Sequence, residues 1–128
     1  MKTYNSILII FMTLSVYSQS IDLINPKEEI GIDNWNIVND NVMGGISNSD
    51  LYITKENNLM FYGSVSLKNN GGFASSRLRF DKGKLKDVKA FQLRVKGDGK
   101  IYKFRLRENY RSSNYSTNFE TESGIWTN

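Results

Sequence analysis

Neither cysteine nor histidine occurs in this chain, and proline occurs once. With no thiol and no imidazole there is no Ser-His-Asp triad, cysteine nucleophile, His or Cys zinc site, haem attachment or disulfide framework. A strong excess of one charge is lacking too. Lys+Arg number 17 against 13 Asp+Glu, a formal net charge of +4. Spread along the chain, that balance serves solubility and argues against a dedicated nucleic-acid binder. What is present is a 128-residue chain, 39% hydrophobic and 12% aromatic, too apolar for a disordered chain and short enough for one domain.

The longest apolar stretch is at the N-terminus. Lys2 is followed by a run from Ile7 to Val16 and then by Ser18, Gln19 and Ser20. This is the basic, apolar and small-x-small pattern of a secretory signal, with cleavage expected near Ser20. A ten-residue run spans only about 15 Å as a helix, half the hydrocarbon thickness of a bilayer, so it is too short for a membrane anchor. Residues 1–20 are therefore read as a leader and 21–128 as the mature domain, secreted or periplasmic, with no transmembrane segment after cleavage. The absence of cysteine fits an oxidising compartment.

From Ile21 onward there is no Pro/Ser linker, repeat or low-complexity block, and the periodicity is that of strands. Phe61, Val65 and Leu67 share an alternating face of Leu59 to Leu67, and Ala74, Ser76, Leu78 and Phe80 share another after Phe73. Turn residues punctuate these runs at Asn57-Asn58, Asn69-Asn70-Gly71-Gly72, Lys82-Gly83 and Gly97-Asp98-Gly99, at intervals suited to short antiparallel strands. The stretch from Phe91 to Leu106 predicts a hairpin with Asp98-Gly99 as a two-residue type I′ turn. Val95 would then face Tyr102, Leu93 would face Phe104 and Phe91 would face Leu106, all on one apolar face. The other face would set Arg94 opposite Lys103 and Gln92 opposite Arg105, with Lys96 and Arg107 nearby. Like charges so placed cost about a few tenths of a kcal/mol, so this face wants water, carboxylates or an anionic partner.

Two glycine-rich segments stand out. Trp35-Asn-Ile-Val-Asn-Asp-Asn-Val-Met-Gly-Gly-Ile-Ser47 sets three Asn, an Asp and a Gly pair between apolar residues, and Asn69-Asn-Gly-Gly-Phe-Ala-Ser75 enters the next strand behind an aromatic. Amides and carboxylates there can bond backbone N–H groups and hold a non-repetitive loop, while Gly44, Gly45 and Gly72 permit positive φ or close backbone approach. Neither has the Gly-Lys-Ser/Thr or GxGxxG spacing of a phosphate cradle. The candidate binding residues are Trp35, Asn39, Asp40, Met43, Gly44 and Gly45 in the first segment. In the second they are Asn70, Gly71, Gly72 and Phe73.

The segments WNIVNDNVMGGIS, LMFYGSVSLKNNGGFASSR and FQLRVKGDGKIYKFRLR resemble, in order, the signature blocks of the complex I intermediate-associated protein 30 family. The resemblance runs from about Ile32 to Trp126. It implies an all-β fold, an antiparallel jelly-roll β-sandwich of the galactose-binding-like type, and a non-enzymatic function without a cofactor. Mitochondrial members of that family act as assembly factors for respiratory NADH dehydrogenase. The chain stops at Gly124-Ile-Trp-Thr-Asn128, where a strand begins, so the expectation is a sandwich lacking its last strands, with exposed edges that invite self-association.

Three further readings follow from the residues. Asp40 between Asn39 and Asn41 could offer oxygen ligands to Ca²⁺, although one carboxylate is few for an ion that takes six to eight oxygens. Trp35, Phe73 and Trp126 could stack on a saccharide, the alternative being a carbohydrate-binding module, but large aromatics more often serve the core. A glycosidase would need a pair of carboxyls, one with a raised pKa, and Asp40 with Asp98 is the only pairing to name. The reading favoured here is a scaffold that binds a protein partner, since the distinctive residues are Gly and Asn, which shape backbone.

Overall fold

The computed structural model describes residue 22 and residues 32–109 and 111–128; the expected leader lies outside them. The described chain is all-β, with no helix of seven or more residues, and hence none long and apolar enough to cross a membrane. It divides between Arg79 and Phe80 into two compact units.

The first unit holds β1 (Trp35–Asn39), β2 (Asn48–Ile53), β3 (Leu59–Ser64) and β4 (Ala74–Leu78). β1 pairs antiparallel with β4, β2 pairs antiparallel with β3, and β2 also packs against β1 and β4. The β2–β3 turn is closed by Thr54 N–H to Asn58 O at 2.9 Å, with Asn57 at φ +60, a conformation Asn tolerates better than most residues. Alternation puts Leu51 and Phe61 opposite each other on the inner face, while Tyr52, Met60 and Tyr62 face outward. Leu51 is the one buried hydrophobic residue among those described.

The expected apolar face of β3 is cut short. β3 ends at Ser64, and Val65 and Leu67 are exposed. β2 begins at Asn48, so Val65 has no ladder partner, and Ser66 N–H bonds instead to the side chain of Ser47 at 2.9 Å. β4 likewise stops at Leu78, before Phe80.

The second unit holds β5 (Val95–Lys96), β6 (Ile101–Arg107), β7 (Asn114–Glu120) and β8 (Trp126–Thr127). The predicted 91–106 hairpin does not form. β6 pairs with β7 and β5 with β8, all antiparallel. A type I′ turn needs φ > 0 at both central residues, but here Gly99 alone is positive, at +88. Thr121 takes the space instead. A Cβ on Gly97 would overlap its side chain, and its hydroxyl accepts from Gly99 N–H at 3.2 Å and donates to Lys100 O at 2.8 Å.

The predicted faces nevertheless hold. Leu93, Val95, Tyr102, Phe104 and Leu106 are half-buried, whereas Arg94, Lys96, Lys103, Arg105 and Arg107 are exposed. Alternation depends on the pleat of each strand and not on which strand is its neighbour. Phe91 meets Phe104, ring centroids 5.7 Å apart, where the hairpin would have set it opposite Leu106.

Asp98 carries its own network beside Gly99. Its carboxylate pairs with the Lys100 ammonium and accepts from Tyr102 Oη at 2.8 Å. Bonds from Lys100 and Tyr102 hold the carboxyl down at about 2, while partial burial and the Asp98 hydrogen bond push the Tyr102 phenol up to about 12. For a depressed acid the stabilisation is present above the ordinary carboxylate range and lost as pH falls towards 2. For the raised phenol it is present below about 10 and lost as pH rises through about 12. In an alkaline absorbance titration, the step missing from Tyr102→Phe is therefore expected near pH 12. It should move towards 10 in Asp98→Asn.

Candidate functional site

Asp40 follows directly on β1 and opens a 3₁₀ turn, Asp40–Met43. Its N–H donates to Phe73 O at 3.2 Å, which extends the β1–β4 register by one residue and draws the two glycine-rich loops together. Its side chain is fully buried. Oδ1 accepts from Ser47 N–H at 2.9 Å. Oδ2 accepts from Ser47 Oγ at 2.5 Å, Gly72 N–H at 2.6 Å and Phe73 N–H at 3.3 Å. Hydrogen bonds to an ionised acceptor are stronger than neutral ones, and here they fasten residues 32 and 33 positions further along the chain.

The glycines are what let the carboxylate in. A Cβ on Gly45 would overlap Asp40 Cγ and Oδ1, and one on Gly71 would lie 2.5 Å from Oδ2 and 2.7 Å from Ser66 O. Gly44 and Gly72 meet a different demand, at φ +90 and +141. Asn69 and Asn70 turn the second loop through left-handed backbone at φ +56 and +57, a region in which Asn is among the few tolerated side chains.

Burial by itself would raise the Asp40 pKa, but the Ser47 hydroxyl and the Gly72, Ser47 and Phe73 N–H groups outweigh it, holding the carboxyl below its usual range. The clamp is thus intact at neutral pH and fails only as pH falls through and below that range.

Nine of the ten residues singled out from the sequence meet in or beside this cluster. Asn39 is buried, and its Oδ1 accepts from Ser49 Oγ at 2.6 Å. Met43 is exposed on the 3₁₀ turn, Gly44 caps it, Asn70 sits at the crest of the second loop, and Phe73 is half-buried at its end. Trp35 is the exception. It pairs with Leu78 at the opposite end of β1 from Asn39, about 14 Å along the strand.

Two residues escaped the sequence reading. Ser47 is buried, donates to Asp40 and accepts from Ser66 N–H. Ser66 gives the backbone on the far side. The one signal for Ser47 was its place as the first polar residue after the Gly pair; nothing local marked Ser66.

The chemistry of the cluster is structural. Both Asp40 oxygens face N–H and O–H donors, and the described residues contain no group of three or more acidic side chains placed to hold a metal. Asp40 and Asp98 belong to separate units. Both are held below the ordinary range, the reverse of what a glycosidase acid requires. At Trp126 the Arg94 guanidinium lies 4.9 Å from the ring centroid and covers one face of a side chain that is otherwise exposed.

These features define a small all-β module whose signature loops are shaped by one internal carboxylate. Residues 24–128 match the complex I intermediate-associated protein 30 (CIA30) family, and the chain belongs to it. No curated protein and no solved structure matches the chain.

Ser47→Ala leaves Ser66 N–H without its acceptor and is expected to cost about 1–3 kcal/mol. Gly45→Val should cost at least as much, through overlap with Asp40. Asp40→Asn presents an amide donor to backbone donors and should be the most damaging of the three. Thermal melts at pH 7 rank them. On the acid side, the wild-type melting temperature should fall as pH drops through and below the carboxylate range.

Proposed function

We propose that the protein is a non-catalytic binding module of the assembly-factor type, exported from the cytoplasm, whose clamped loops present an apolar contact surface to a protein partner. The observation that carries this is the contrast between the inside and the outside of the loop pair. Inside, the polar groups of Asp40 and Ser47 satisfy each other. Outside, the same loops expose Val42, Met43, Ile46, Val65 and Leu67, with Leu67 the most exposed at 82%. Large apolar side chains grouped on one exposed surface mark interaction sites. Loops fixed before binding lose less entropy on complex formation than mobile ones. The family's name supplies the type of role, and the family resemblance suggests a galactose-binding-like jelly roll as the full architecture. The basic, apolar and small-residue pattern of residues 1–20 supports export.

The test is cross-linking capture from envelope extracts with the full chain, comparing wild type with Val42→Asp, Met43→Asp and Leu67→Asp combined. These side chains are solvent-exposed, so melting should change little while capture of the same partner falls by about tenfold or more. Undiminished capture by the folded variant would overturn the loop surface. Specific saccharide binding on a glycan array, lost in the same variant, would replace the protein partner with a sugar. Mass spectrometry of the exported protein should find a chain beginning at Ile21.

A further inference from the structure

We propose that the outward face of β6–β7 binds an extended acidic peptide segment that carries a carboxylate at every second residue. This rests on the reading above only in taking the partner to be a polypeptide, and it concerns a different surface.

Lys103, Arg105 and Arg107 project from one side of β6, all exposed. They are spaced two residues apart, about 6.8 Å along the strand. The register sets each opposite a neutral polar residue of β7: Lys103 against Asn118, Arg105 against Ser116 and Arg107 against Asn114. The result is a ladder of three cations with an amide or hydroxyl beside each rung. The cross-strand like-charge pairs expected from the hairpin are gone, and the cations repel only along β6. No carboxylate neutralises them either. Among the described residues the one ion pair is Lys100 with Asp98. The acidic residues nearest in register are Glu120, opposite Ile101, and Glu108, beyond Arg107; both lie at the ends of the row and not within it.

The repeat selects the ligand. An extended peptide places alternate side chains on one side at the same spacing of about 6.8 Å, so alternating Asp or Glu meets each rung without strain. Single-stranded nucleic acid would use aromatic platforms between the cations. Among the strand residues on this face there is none, since Tyr115 and Phe119 pair with Leu106 and Tyr102 on the other side.

Fluorescence anisotropy with the full chain tests this. The probes are a labelled ten-residue peptide of alternating Thr and Glu, its isomer with all Glu in one block, a heparin oligosaccharide and oligouridylate. The alternating peptide is expected to bind about tenfold tighter than the blocked isomer and tighter than either polymer. Its affinity should fall with added salt, and also by about tenfold or more in the triple variant Lys103→Gln, Arg105→Gln, Arg107→Gln. Equal binding of the two peptides, tighter binding of heparin or oligouridylate, or unchanged affinity in a triple variant that melts like wild type would each overturn the proposal. Because the probes do not engage the glycine-rich loops, failure here leaves the capture experiment standing, and failure of that experiment leaves this one readable.

Discussion

The geometry of the first unit depends on a single ionised carboxylate out of contact with water. A buried charge is tolerated only when its oxygens are met by donors, so Asp40 dictates the path of everything that donates to it. The 44–47 loop must turn back within seven residues to bring Ser47 N–H and Oγ to it. The 71–73 loop must present two successive backbone N–H groups. Gly45 and Gly71 are required by that approach, and Gly44 and Gly72 by the backbone torsions that make it possible. The spacing of the motifs in the chain is thus a consequence of one side chain's need for partners.

This also explains how a unit with so little apolar burial keeps a defined shape. Leu51 is the one buried hydrophobic residue described, against three buried polar ones in the same unit, Asn39, Asp40 and Ser47, while Thr121 is the one buried polar residue described in the second unit. Each of the four ties together segments distant in sequence: Asn39 reaches Ser49, Asp40 reaches Gly72, Ser47 reaches Ser66 and Thr121 reaches Gly99. Such networks specify a geometry more sharply than apolar contact does, because hydrogen bonds weaken steeply off-axis. Asp98 shows the contrast. It too is depressed below the ordinary range, but by an ammonium and a phenol at a partly exposed site. Screening by solvent and salt weakens that arrangement, whereas the Asp40 clamp is sealed from both.

What could be read from the sequence follows the range of the physics involved. Strand faces were legible because alternation is local: Leu93, Val95, Tyr102 and Phe104 fell on the predicted side. The loops were legible because Asn, Asp and Gly act on their own backbone. Pairing was not. The sequence of 91–106 fits a hairpin by every local rule, but Gly97 lies against Thr121, 24 residues away, and no local pattern records that contact. Ser47 was missed for the same reason, since its value lies in touching Asp40 and Ser66 at once. Val65 and Leu67 were assigned to a strand because their alternation is correct; the ladder simply has no partner there.

Those two apolar residues then acquire a different meaning. A side chain on a strand face is held by its neighbours, whereas one on a loop is free to move unless the loop is fixed. Leu67 sits over Gly72, whose α-carbon faces it closely enough that an added Cβ would come within 3.2 Å of Cδ2. Gly72 N–H is in turn bound to Asp40. Val42 and Met43 lie on the turn that Asp40 opens. The exposed apolar residues of both loops are therefore close to backbone that the buried carboxylate orders, directly at Asp40 and Gly72 or through Ser47 at Ser66. Most of the ordering cost has been met in folding, and a partner that covers these side chains gains the burial without immobilising the loops. In the proposed role, the constraint that shapes the interior is the same one that orders the exposed apolar side chains before a partner arrives.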